Sequence, residues 1–145
     1  MNAATHFSSE IASLMDGIGR AAVDAARALS QATTAQKNNA LTAAAAQLRT
    51  QAPTILAANK IDLQQAKDRG LSGAMLDRLL LDEKRVESMA RGIEDIIALA
   101  DPIGTTTAEW TRPNGMRIQR VRVPLGVVGI IYESRPNVTA DAGAL

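Results

Sequence analysis

Apolar residues recur at spacings of three and four through most of the first hundred positions, and after that the period changes. Ile11, Leu14, Met15, Ile18, Ala22, Ala25, Ala26 and Leu29 lay one stripe along a helix over residues 8 to 30, with Ser8 as its N-cap. Thr33 or Thr34 caps a second helix with the stripe Leu41, Ala44, Ala45 and Leu48, and Pro53 opens a third at its first turn. Gly70 ends that helix. Ser72 starts a short one carrying Met75, Leu76, Leu79 and Leu80. Asp82 caps a fifth, whose buried face reads Val86, Met89, Ala90, Ile93, Ile96 and Ile97.

Beyond "DPIG" at 101 to 104 the pattern becomes strand-like. "TTTAEWT" and "MRIQRVRVP" flank Arg112-Pro113-Asn114-Gly115, where Pro suits the second position of a type I turn and Gly the left-handed residue, so a hairpin is expected over 105 to 123. "LGVVGII" at 125 to 131 has no polar alternation, which is how a strand covered on both faces of a parallel sheet reads. "NVTADAGAL" then begins a helix after Asn137. A buried parallel strand needs neighbours on both sides, and no partner strand follows, so the chain is expected to have been cut short.

Composition narrows the chemistry. Hydrophobic residues make up 46% of the 145, enough for a real core, yet aromatics are only 2%, so the interior must be built from aliphatic side chains and alanine. The net charge of +1 is spread as alternating signs, which gives no footprint for nucleic acid or an anionic membrane. No apolar run approaches the roughly 20 residues of a membrane span, and no secretory signal pattern opens the chain; the expected location is cytoplasmic. With no cysteine and His6 as the one histidine, thiolate nucleophiles, disulfides, Cys/His zinc sites and His-based triads are all excluded from this sequence.

The polar group behind the apolar run, Glu133, Ser134, Arg135 and Asn137, stands where open α/β sheets keep their ligands, at the end of a strand and the start of the next helix. On the residues alone a blander assignment leads narrowly: Ser134 or Asn137 caps the helix, and Glu133 and Arg135 are ordinary loop charges. Gly126 and Gly129 form G-x-x-G, which by itself says nothing about a dinucleotide. Arg112, Arg117, Arg120 and Arg122 could bind phosphate, but such charges are more often the solvated face of an edge hairpin or a guard against wrong pairing. The charges from Lys60 to Arg85, Arg78 among them, read as mixed-sign exposed helix faces with no site.

"RPNGMRIQRVRVPLGVVGIIYESRPNVTADAGAL" resembles the gamma-glutamyl phosphate reductases of the aldehyde dehydrogenase superfamily, and "ILAANKIDLQQAKDRGLSGAMLDRLLLDEKRVESMARGIEDIIALADPIG" resembles the same family's helical N-terminal region. "YESRPNVTADA" at 132 to 142 is the most specific piece. The resemblance implies an α/β fold class: the helix-rich N-terminal part of a nucleotide-binding domain (residues 1–104), a projecting oligomerisation-type β-hairpin (105–123), then the first core strand and the start of the next helix (124–145). It implies NADPH-dependent reduction of gamma-glutamyl phosphate to glutamate-5-semialdehyde in proline biosynthesis, through a cysteine this sequence lacks. By position, Ile131, Tyr132, Glu133 and Ser134 fall on the nicotinamide side of an NADP site. Arg135 and Asn137 fall where relatives stabilise the oxyanion, a role worth about 3 kcal/mol, although common aldehyde dehydrogenases carry Asn where Arg135 stands. Arg135 can alternatively hold the acyl phosphate through paired hydrogen bonds. The expected partners are a small-molecule substrate and further copies of the chain through the hairpin, with no nucleic acid and no membrane. The competing reading is a helical interaction or assembly module without chemistry of its own.

Overall fold

A computed structural model describes residues 3–133 and 135–145. Five helices precede residue 100: α1 (Ala3–Ser30), α2 (Thr34–Thr50), α3 (Ala52–Asp68), α4 (Gly73–Leu79) and α5 (Glu83–Ile97). Strands β1 (Thr106–Thr111) and β2 (Arg117–Val121) follow, and α6 (Val138–Ala144) comes last. No helix among the described residues is long and apolar enough to cross a membrane. The chain divides into two compact units, one holding α1 and Asp101–Gly129, the other Thr34–Ala100 with Ile130–Leu145.

In the second unit α2 packs along α5, and the centre of that seam is small: Ala45 and Ala90 are buried together with Ile93, flanked by Leu41, Leu48, Ala140 and Ala144. Alanine at the contact lets the helix backbones approach closely and costs no rotamer entropy. The α5 face is the one its periodicity announces, with Val86, Met89, Ala90 and Ile93 buried, and Asp82 caps it by accepting the Arg85 backbone N–H at 2.7 Å. The end of α3 is also as expected from Gly70. Its φ of 74° allows a left-handed turn in which Leu71 N–H reaches Ala66 C=O and Gly70 N–H reaches Lys67 C=O, a Schellman closure.

Two polar devices tie the helices. Asn59, 4% exposed, donates from Nδ2 to Leu79 C=O and accepts from Leu81 N–H, both at 2.8 Å, so one side chain holds the α4–α5 link against α3. Arg49 on α2 forks between Glu87 and Glu94 on α5: Nε to Glu87 Oε2 is 2.9 Å and Nη1 to Glu94 Oε1 is 2.5 Å, while Arg91 also reaches Glu87. These hydrogen bonds, from Arg49 first and then Arg91, hold the Glu87 carboxyl down at about 2. Glu94 is lowered too, chiefly by its bond from Arg49, and the two carboxylates raise the Arg49 guanidinium in return.

In the first unit the hairpin forms with the turn its sequence specifies. Gly115 N–H bonds Arg112 C=O, Arg112 N–H bonds Met116 C=O, and Gly115 takes φ 83°. The strands are antiparallel, with Trp110 opposite Ile118, Thr111 opposite Arg117 and a bulge between Thr106 and Ala108. Glu109 ties the polar face, at 2.8 Å from Arg117 Nε and accepting from Gln119 Nε2 at 2.6 Å.

Two expectations need correction. The first helix does not begin at Ser8 but at Ala3, since no breaker lies between them and the preceding alanines favour helix. Its apolar stripe is present as expected, with Ile11, Leu14, Met15 and Ile18 exposed. The second correction concerns 125 to 131, which form no strand and are not buried: Leu125 is 94% exposed and Ile131 is bare. A strand exists only as a paired element, and the described strands, β1 and β2, pair with each other.

Candidate functional site

The polar junction is positioned by α6 and the residues before it. Val138 N–H bonds Arg135 C=O at 3.0 Å, which turns the chain, and Ala140 and Asp141 N–H both bond Asn137 C=O, which starts the helix. α6 in turn rests on α5 through Ala140 and Ala144. Asn137 therefore stands at the N-cap position, but it has helical dihedrals and its side chain makes no capping bond. Its Nδ2 donates instead to Asp141 Oδ2 at 2.9 Å, one turn along the helix. That contact uses one of the two amide protons and fixes the plane of the amide, leaving the second proton to donate elsewhere.

Tyr132 is drawn back onto α6, its hydroxyl 2.6 Å from Thr139 Oγ1, with either oxygen able to donate. Ile131 and Glu133 are exposed beside it, and Ser134 lies outside the described residues. Arg135 is exposed, and its guanidinium makes no ion pair among the described residues. The structure thus joins Tyr132 to α6 and locks Asn137, while Arg135 and Glu133 stand clear of both. The capping assignment for Asn137 loses its main support, because the side-chain bond that defines a cap is absent.

Sequence reasoning passed over Thr139 and Asp141. The signal for Asp141 was present in "NVTAD", where an amide and a carboxylate four apart must meet on a helix. It also passed over a groove of about 340 Å³ whose lining includes Arg78, Arg85, Ser88, Met89, Asn137 and Asp141. Of these, Arg85 is committed: it donates to Leu80 C=O at 2.7 Å, to the Asp77 carbonyl, and to Asp77 Oδ1 at 2.8 Å. A second, apolar groove of about 430 Å³ lies among Leu41, Leu48, Ile55, Ile93, Ala140 and Ala144.

This arrangement is that of a helix-rich α/β segment with a polar junction before a helix. No protein-family model matches the chain. Curated proteins do: it is 57% identical over 136 residues to a gamma-glutamyl phosphate reductase of Parvibaculum lavamentivorans, covering 94% of this chain and 32% of that protein. The enzyme of the same name from Rhodospirillum rubrum is 55% identical over 144 residues, covering 99% and 34%. Among solved structures, gamma-glutamyl phosphate reductase from Thermotoga maritima matches with a TM-score of 0.82 at 44% identity, over 86% of this chain and 30% of that one. The Saccharomyces cerevisiae reductase gives 0.83 at 34% identity, over 88% and 33%. Over nearly its whole length the chain is similar to gamma-glutamyl phosphate reductases. It spans about a third of the length of the curated relatives it matches.

Proposed function

We propose that this chain supplies the N-terminal part of a cytoplasmic, NADP-dependent enzyme of proline biosynthesis that reduces gamma-glutamyl phosphate to glutamate-5-semialdehyde and phosphate. The observation that carries the reading is identity of 55% or more to reductases of that name across nearly all of the chain. When bound, the nicotinamide cofactor supplies the hydride that takes the acyl group to the aldehyde level. Bare Ile131 beside half-exposed Tyr132 offers an apolar edge of the kind a nicotinamide ring rests on, and exposed Glu133 adds a polar end to that edge in this reading.

The chain's own residues then bind and polarise the acyl phosphate. Arg135, whose guanidinium makes no ion pair among the described residues, grips the phosphate through its planar donor edge and draws charge off the departing oxygen. Asn137 donates its remaining amide proton to the carbonyl oxygen as that oxygen becomes negative, an interaction stronger in the transition state than in the ground state. The nucleophile must come from residues this sequence does not contain, since it has no cysteine, and the 145 residues alone are expected to be inactive. The hairpin serves contact between subunits in this reading.

The test is turnover in the favoured direction for assay: a complete protein carrying this sequence, given glutamate-5-semialdehyde, phosphate and NADP, should form NADPH in strict dependence on phosphate. Absence of turnover, or turnover indifferent to phosphate, overturns the proposal. A second reading, an assembly module without chemistry, has the bare α1 stripe in its favour; it is supported if the complete protein is inert yet associates through α1.

A further inference from the structure

The groove beside Asn137 presents both signs of charge. Asp141 spends Oδ2 on Asn137, while Oδ1 has no hydrogen-bond partner among the described residues. Arg78 lines the same groove, and its guanidinium makes no ion pair among the described residues, whereas Arg85 is held by Asp77 and two carbonyls. Leu80, Leu81 and Met89 supply apolar wall between the polar groups. A space of about 340 Å³ is at the lower end of the range for small-molecule sites, roughly 300–1,000 Å³.

We propose that this groove recognises the α-amino-acid end of the substrate, with Arg78 pairing the α-carboxylate and Asp141 the α-ammonium. The proposal rests on the reading of Asn137 as the donor to the reacting carbonyl, and it adds what that reading leaves open, namely how an acyl phosphate of an amino acid is told from any other. In a gamma-glutamyl group the reacting carbonyl carbon and the α-carbon are three bonds apart. Asn137 Nδ2 meets Asp141 Oδ2 at 2.9 Å, which sets the free amide proton and the free Oδ1 a few ångströms apart, a span of the same order. One edge of α6 can therefore meet both ends of the substrate. The charges are arranged for a zwitterion, since a lone anion would be repelled by Asp141 and a lone cation by Arg78. Arg78 is suited to the carboxylate because a guanidinium offers paired donors, and a groove wall partly shielded from water strengthens both pairs.

The experiment has a binding arm and a turnover arm, both on the complete protein. In the first, calorimetric titration compares L-glutamate with glutarate, which lacks the ammonium, and with 4-aminobutanoate, which lacks the α-carboxylate. The wild type should prefer glutamate over each by about tenfold or more, the scale of one charge-assisted hydrogen bond. Asp141→Asn, which keeps an oxygen for Asn137, should abolish the preference over glutarate. Arg78→Gln should abolish the preference over 4-aminobutanoate. In the second arm, the same variants should raise KM for glutamate-5-semialdehyde about tenfold, and Asp141→Asn should raise it much less for 5-oxopentanoate, which has no ammonium to lose. Preferences retained in both variants overturn the inference even if the wild type is an active reductase. Preferences lost as stated in a protein without turnover sustain the recognition site and overturn the reductase reading instead. No preference in the wild type overturns the inference outright.

Discussion

Asn59 and Leu81 are joined by a hydrogen bond of 2.8 Å from the Leu81 N–H to the Asn59 side-chain oxygen, both residues buried, while the other end of the same amide serves Leu79 C=O. The chain between α4 and α5 has too few residues to satisfy its own backbone groups in a helix, and α3 supplies the missing partner. Asn59→Ala leaves a buried N–H and a carbonyl without partners. It should cost about 1–3 kcal/mol, read as a lower midpoint in denaturant with an unchanged slope. Unchanged stability would mean that water replaces the amide.

The clasp between α2 and α5 gives a pH signature. Arg49 lowers the carboxyls of Glu87 and Glu94, so their contribution to stability is fully present above the ordinary carboxyl value of 4.5 and is lost as pH falls towards about 2. The groups are half exposed, and salt should weaken the effect. Wild type and Arg49→Met should therefore differ in melting temperature near pH 6, and that difference should shrink from pH 4.5 downward and at high salt. A difference that is independent of pH would assign the loss to packing of the arginine stem.

In the hairpin, Arg117 is occupied by Glu109, whereas Arg120 and Arg122 carry no ion pair among the described residues. Replacing Arg120 and Arg122 together with glutamine in a complete reductase should shift its oligomeric state, measured by sedimentation, more than its affinity for NADP. The opposite pattern would move these arginines to the cofactor.

The helices were legible because each carries its own punctuation: Asp82 as a side-chain cap, Pro53 at a first turn, Gly70 in a left-handed closure. The hairpin was legible for the same reason, through Pro113 and Gly115. What failed depended on partners. "LGVVGII" has the composition of a buried strand, but burial is a property of the sheet around it, and the described residues offer none. The Ser8 start failed because an N-cap residue is permitted inside a helix when nothing upstream stops it. Asn59 could have been read as a polar residue on the inner stripe of Ile55, Leu63 and Ala66, yet its two bonds are to backbone twenty residues away. Arg78 reads as surface charge from its charged sequence neighbours, and it is exposed. Only the approach of α6 to α5 reveals the groove it lines.

Arg135 is assigned to the phosphate, so Arg135→Lys in the complete enzyme should mainly raise KM, an ammonium being unable to reproduce a planar two-point contact. A fall in kcat at constant KM would exchange its role with that of Asn137.

The most direct test of the whole account is the steady-state kinetics of Asn137→Ala in a complete reductase carrying this sequence. If the amide locked by Asp141 donates to the developing oxyanion, kcat should fall about 100-fold or more with KM nearly unchanged. A kcat close to wild type, accompanied by a lower melting temperature, would contradict the account and reduce Asn137 to a residue that only secures the start of α6.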